Sequence, residues 1–415
     1  MKSTHLVRFG AIVALLSLSS FAKAEDWGQW RGPKRDGHIA GFTAPSVWPQ
    51  KLAKQWSVNV GEGHSSPIIV GNRAYVFVRR GESEWTLCLN MATGKVIWED
   101  NVAAPFDSVI FPAQRLGKAP RSTPLYHDGK LYTTGINGLI TCFQANTGGI
   151  IWRKDFSKAF STPMPVCGAA LSPLIDGKRI YVHVGHEDKG AFLALDKDTG
   201  LEIWKWTGEG PGYTSPVLAT IGGTRQLITA SHNMWISLYP ENGQLLWSMK
   251  VRQNYFNHNS ITPVVKGDVV YCGANQRPTF ALRVSKTGGK WVPEKIWETR
   301  DVTMSTSSPV LTGNMLYAVN EKRRGQVVCM AADSGKIIWE CPGNKGENVT
   351  LYDAGSCVLA FASGGDMFVY AKKSDGLQEV ARYEVADSQM WSSPAISGSN
   401  ILVKGASTLT LWKTP

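Results

Sequence analysis

Leu193-Ala-Leu-Asp-Lys-Asp-Thr-Gly-Leu-Glu-Ile-Trp204 reads as a strand, a turn and the start of a second strand. Leu193 to Leu195 is apolar with a small residue in the middle. Asp196 to Gly200 gathers side chains that bond their own backbone and a glycine that tolerates positive φ. Glu202 to Trp206 then alternates polar with apolar and aromatic residues, the period of a strand. The stretch predicts a hairpin, and the hairpin recurs. Thr93-Gly94 precedes Trp98, Thr147-Gly148 precedes Trp152, Asn242-Gly243 precedes Trp247 and Ser334-Gly335 precedes Trp339, each tryptophan four residues after its glycine. A second marker keeps the same beat: Ser66-Pro67, Thr123-Pro124, Ser172-Pro173, Ser215-Pro216, Thr262-Pro263, Ser308-Pro309 and Ser393-Pro394, with Val349-Thr350-Leu351 filling the long gap before the last. Eight units at a step of roughly 40 to 50 residues, built from short strands, predict an all-β, eight-bladed propeller of four-stranded antiparallel blades.

The ends of the chain predict how the ring closes. Trp56, in a strand from Lys54 to Val60, stands before Pro67 as Trp204 stands before Pro216, yet no earlier strands of its unit precede it. Three strands, 392–397, 400–405 and 408–413, end the chain without a fourth. One blade is therefore shared between the termini, which removes the open sheet edges. Within a unit, proline at the start of the first strand lacks an amide donor and suits the innermost edge. The tryptophans Trp56, Trp98, Trp152, Trp204, Trp247, Trp297 and Trp339 offer flat area to bury between blades, with an indole donor that needs a partner.

Residues 1–24 read as a signal peptide: Lys2 and Arg8, an apolar run from Phe9 to Phe21 too short to span a bilayer, then Ala22-Lys23-Ala24. The mature chain is expected to begin at Glu25, in the periplasm or outside the cell, with no lipidated cysteine and no transmembrane segment. Residues 25–50 carry turn formers without alternation and read as a strap across the propeller of residues 51–415. Removing Lys2, Arg8 and Lys23 from a net charge of +11 leaves about +8. With no basic run interleaved with aromatics, nucleic acid is not an expected partner. Of seven cysteines, Cys88, Cys142 and Cys329 fall where Ala194 falls in the clearest repeat, which makes them packed core thiols rather than ligands. Cys341 with Cys357 is the pair to examine for a disulfide.

The pattern AxDxxTGxxxW, met in full by Ala194, Asp196, Thr199, Gly200 and Trp204, resembles the tryptophan-docking repeat of the pyrroloquinoline-quinone (PQQ)-type propellers, over about residues 50 to 415. That superfamily includes quinoprotein alcohol dehydrogenases and the outer-membrane barrel-assembly propeller, and Trp27 to Gly37 looks like the opening of its secreted members. The resemblance implies blades locked to one another by the tryptophans. Two repeats depart from the pattern: the fifth has Gly288-Gly289 with its tryptophan delayed to Trp297, and the seventh has Asp375-Gly376 followed by Val380. Their interfaces are expected to be weaker or differently packed. The dehydrogenases typically carry an adjacent cysteine pair, calcium-binding side chains and an acidic base; no cysteine pair is present here and no carboxylate matches such a position.

In a propeller the loops entering each first strand share a face with the loops joining second and third strands, and they converge on one funnel. Three residues before each marker proline stand His64, Arg121, Ala170, Tyr213, Ser260, Thr306 and Trp391, with Asn348 in the unmarked unit. The second set of loops adds His232 and Arg277. Guanidinium and aromatic groups hold anions and planar groups, so His64, Arg121, Tyr213, His232, Arg277 and Trp391 are the candidate binding residues. The occupant is a protein partner or a saccharide or other anionic ligand. His64, His186, His232 and His258 lack the HxH or HxxxH spacing of a preformed metal pair. No GxSxG or phosphate loop occurs either, and no catalytic residue is named. The insertion from Asp100 to Arg121, with Phe106, Ile110, Phe111 and Pro112, reads as a cap on the channel. The expectation is an exported, monomeric scaffold that binds a ligand or a protein without catalysis and without cofactor; the alternative is a PQQ-dependent dehydrogenase of alcohols or sugars.

Overall fold

In the computed structural model, which describes residues 25–106, 117–159, 167–186, 189–251 and 258–415, the quoted stretch folds as strands Gly190–Asp196 and Glu202–Trp206. The turn between them is built by Asp196. Its Oδ1 accepts bonds from the Asp198 and Thr199 amides at 3.0 and 2.9 Å and from the Thr199 hydroxyl at 3.0 Å. Gly200, at φ 71°, returns its own amide to the Asp196 carbonyl. Asn90 does the same work in the first blade.

Across this hairpin Trp204 pairs with Ala194, and the register slips immediately afterwards. The same pairing and slip set Trp98 opposite Cys88, Trp152 opposite Cys142, Trp247 opposite Ser237, Trp297 opposite Ala281 and Trp339 opposite Cys329. An indole seated beside a β-bulge leaves its cross-strand neighbour little volume, which explains the small residue or thiol there. In the seventh blade, where Ala381 replaces the tryptophan, the partner is the larger Val369. The three thiols are buried, and burial pushes them up, Cys142 to about 12 and Cys329 to about 11. All seven cysteines are free, Cys341 and Cys357 included.

Among the described residues the strands form eight four-stranded antiparallel sheets, spanning 68–103, 125–155, 174–206, 217–250, 264–299, 310–340 and 349–384, with the eighth at 395–413 completed by Ala53–Asn59. That last sheet joins the two ends of the chain through Ala53–Asn59 antiparallel to Thr408–Lys413. The innermost strands are short, Leu174–Asp176 in the third blade. The residues just before them belong instead to a belt around the channel. The Thr123 amide donates to the Ser172 hydroxyl, Ser172 to Ser215, Thr262 to Ser308 and Ser393 to Ser66, at 2.9 to 3.0 Å. The hydroxyls of Ser66, Ser172, Ser215 and Ser308, each beside a marker proline, are thus acceptors for the neighbouring blade.

Between blades, most tryptophans lie over the turn glycine of the next unit. Trp56 covers Gly94, Trp98 covers Gly148, Trp152 covers Gly200 and Trp297 covers Gly335, so closely that a Cβ on the glycine would come within 2.6 to 2.9 Å of the ring. Their indoles donate to Met91, Ala145, Lys197 and Ala332 carbonyls at 2.8 to 2.9 Å. The delayed Trp297 therefore packs like the regular ones, contrary to expectation, because the longer hairpin Thr279–Thr287 and Lys290–Thr299 extends beyond the docking point without shifting it. The difference falls on the side where the fifth blade receives Trp247. Gly288 and Gly289 meet nothing within 4 Å, and the Trp247 indole turns to Gln226 Oε1 of its own blade at 2.8 Å. The long hairpin reaches back in compensation, placing Trp291 against Gly222 of the fourth blade.

Residues 25–39 cross the opposite end of the channel from the funnel. Trp27 bridges to Ile69 of the first blade, Tyr126 donates its amide to the Gly28 carbonyl, and at Asp353 of the seventh the Ile39 amide donates to the carbonyl while the Asp353 amide donates to the Gly37 carbonyl. Arg35 reaches the Ser172 and Pro173 carbonyls of the third blade at 3.0 and 2.8 Å, and Arg31 those of Ser308 and Pro309 in the sixth at 3.1 and 2.6 Å.

Candidate functional site: a cationic funnel closed at its floor

The seven positions that precede the marker prolines, and Asn348 at the matching place of the unmarked unit, meet in space. His64, Arg121, Ala170, Tyr213, Ser260, Thr306, Asn348 and Trp391 all line one cavity of about 210 Å³ on the channel axis. Each sits where the chain leaves the outer strand of one blade and turns inward to the next, so a fixed offset from the proline becomes a fixed place on a ring. Four of the six candidate binding residues are in it. His232 and Arg277 are not in that lining. They lie in loops joining second and third strands; the His232 carbonyl accepts from Asn259 Nδ2. The tip of the 100–121 insertion, with Ile110, Phe111 and Pro112, lies outside the described residues.

His64 stacks on Trp391 with ring centroids 5.9 Å apart and planes 11° from parallel. Burial, with Arg121 and Lys404 nearby, lowers its pKa to about 3, so the ring is neutral. Tyr213 stands edge-on to His258 at 5.1 Å and accepts a bond from the Cys167 amide. Asn348 Oδ1 accepts from the Thr306 and Ser307 hydroxyls at 2.8 and 3.2 Å. Trp30 and Arg31 form the floor, and Trp30 is held by a 2.8 Å bond from its indole to the Thr262 hydroxyl.

The cations around this cavity are bound by backbone carbonyls. Arg121 donates to Cys167 and Gly117 carbonyls, and the fully buried Lys404 gives its ammonium to Gly63, Gly405 and Ala406 at 3.0 to 3.1 Å. Burial pushes Lys404 down to about 8, Arg31 to about 10 and Arg35 to about 9, the last also through Arg31 beside it. No Asp or Glu is among the described residues that line the cavity. Carbonyl dipoles satisfy the donors without cancelling the charge, and Asp36 and Glu62, the carboxylates that act on Arg31 and Lys404, lie outside the lining, so the cavity wall itself is positive. Trp30, Arg31 and Lys404 were not among the candidate site residues read from the sequence. The first two lie in an aperiodic strap, and Lys404 occupies an ordinary strand position.

Residues 113–341 match the family of outer membrane protein assembly factor BamB, more than half of the chain. The chain belongs to the BamB family. An outer membrane protein assembly factor BamB of Yersinia pestis is 23% identical over 382 residues, 85% of this chain and 86% of the relative. BamB of Moraxella catarrhalis superposes with a TM-score of 0.62 at 15% identity, over 87% of this chain and 99% of that one. A quinohemoprotein alcohol dehydrogenase of Comamonas testosteroni reaches 0.70 at 12% identity, over 95% and 81%. At these identities the two structures share the fold alone, and a propeller common to BamB and to a dehydrogenase leaves function to the site.

The dehydrogenase fold implies a quinone cofactor. Pyrroloquinoline quinone is a planar polyanion whose chemistry requires an acidic base and commonly a divalent ion. The BamB-family funnel has Trp391 and cationic walls, but no carboxylate among its described lining residues to act as base or ion ligand. Nor, among the described residues, are three His, Cys, Asp or Glu side chains grouped as a metal ion would need. The described residues of the funnel do not fit a quinone and calcium site. No described helix is long and apolar enough to cross a membrane.

Proposed function

We propose that this protein is an exported, non-catalytic propeller scaffold of outer membrane protein assembly, working in the periplasm with its funnel face as the binding face. BamB-family membership supports the process. The observation that favours a scaffold over a quinone dehydrogenase is the funnel itself: eight blades converge on a cavity whose described walls hold cations, hydroxyls and aromatic rings but no carboxylate to serve as the acidic base or ion ligand. The strap fits this reading, since Trp30 and Arg31 floor the channel and leave one open mouth. The ring supplies rigidity, with closure through the Ala53–Asn59 strand keeping the loops in fixed relation.

Deletion of the gene in its own host, followed by quantification of outer-membrane β-barrel proteins, tests the reading. The expected result is depletion of barrels from the outer membrane, restored by the wild-type gene. Unchanged barrels, together with loss of quinone-dependent alcohol oxidation in the periplasm, would replace the scaffold with a dehydrogenase.

A further inference from the structure

We infer that the funnel cavity is a receptor for a small carboxylate monoanion with an apolar body; the inference rests on the funnel being a binding face. Three observations select that class of ligand. The field is positive, because Arg31, Arg121 and Lys404 surround the cavity and no carboxylate is among its described lining residues, while Asp36 acts on Arg31 and Glu62 on Lys404 only from outside that lining. An anion placed there recovers part of the cost of burying those charges. Apart from Arg121, which lines the cavity and donates to the Cys167 and Gly117 carbonyls, the direct donors are neutral. Arg31 and Lys404 direct their N–H groups to carbonyl oxygens. His64, Ser260 and Asn348 Nδ2 line the cavity and make no side-chain hydrogen bond among the described residues, which leaves them to face its interior. Phosphate, doubly charged and strongly hydrated, needs guanidinium forks or several amides to replace its water. A single carboxylate needs two or three neutral donors within a favourable field. Finally, Trp391 stacked on His64, with Leu351, Tyr213 and Trp30, walls the cavity with apolar surface that such an ion alone would leave wet.

The cavity is floored by the strap and holds about 210 Å³, which suits a small acid entering from the funnel mouth rather than a chain threading the channel. Isothermal titration of the exported protein with benzoate, benzamide and inorganic phosphate tests this. Benzoate is expected to bind one to one, at least tenfold more tightly than its neutral amide or phosphate, and to weaken as salt rises. Asn348→Leu and, separately, Trp391→Leu are expected each to weaken benzoate at least tenfold; Trp391 makes only one long hydrogen bond, to Gln389 at 3.4 Å, so its variant serves if Asn348→Leu fails to fold. Benzamide equal to benzoate, phosphate tighter than benzoate, or no heat from any of the three overturns the inference. Absence of binding with barrel depletion on deletion removes only the receptor; benzoate binding with intact barrels removes the scaffold reading and leaves the receptor standing.

Discussion

At the scale of single residues, position on the ring was legible because proline fixes it. An offset of three from each marker proline, and the matching place in the unmarked unit, named eight of the residues that line the cavity, including Ala170, Ser260, Thr306 and Asn348, which no chemistry would have singled out. Residues outside the repeat had no such ruler, so Arg31 and Lys404 had to be found in three dimensions. The repeat tryptophans are open to direct measurement. Trp204 is 8% exposed, bonds the Pro240 carbonyl at 3.0 Å and covers Gly243, so Trp204→Ala is expected to cost roughly 3 to 5 kcal/mol in urea unfolding. A variant that unfolds at the parent's midpoint would contradict the docking role. His183 gives a second test. It is buried, with Nε2 bonded to the Glu209 carbonyl at 2.9 Å, and burial lowers its pKa to about 4. Below about pH 6.5 the unfolded chain takes up a proton that the folded chain refuses, so stability falls between pH 6.5 and 4, by on the order of 3 kcal/mol from this group. His183→Gln is expected to lose correspondingly less stability than wild type between pH 7 and 4.5; equal losses would show that His183 is not held neutral.

The element scale shows where pattern reading succeeds and where it stops. Hairpins were legible because their turns need particular residues, as Asp196 and Gly200 show. The hydroxyl of the second marker was visible as a recurrence, but its purpose was not, since an acceptor for the neighbouring blade's amide has meaning only once blades stand side by side. The departures of the fifth repeat were likewise visible, while the response of packing to them was not: Trp297 docks regularly, and Trp247 turns to Gln226. The shared eighth blade was legible from the orphan Trp56. Removing residues 25–60 deletes the Ala53–Asn59 strand and exposes the edge of Thr408–Lys413, which is a template for pairing with another chain. The truncated protein is expected to aggregate or unfold without cooperativity, as read by light scattering and thermal melting. A monomer with the parent's melting curve would show that the ring does not depend on this closure.

For the whole molecule, the fold was legible from a repeat of eight, and function was not, because scaffold and dehydrogenase share that ring at 12 to 15% identity. What separates them is local: a base, an ion site and a cofactor platform on one side, and a cation-walled cavity without carboxylate among its described lining residues on the other. The central claim, that this funnel binds without catalysing, is tested most directly by adding pyrroloquinoline quinone and calcium to the exported protein, removing the excess by gel filtration, and following dye reduction with alcohols and aldoses. The account predicts no substrate-dependent reduction, whatever traces of the polyanion the positive field retains. Stoichiometric quinone that passes the column with the protein and reduces dye when an alcohol or aldose is added would contradict it.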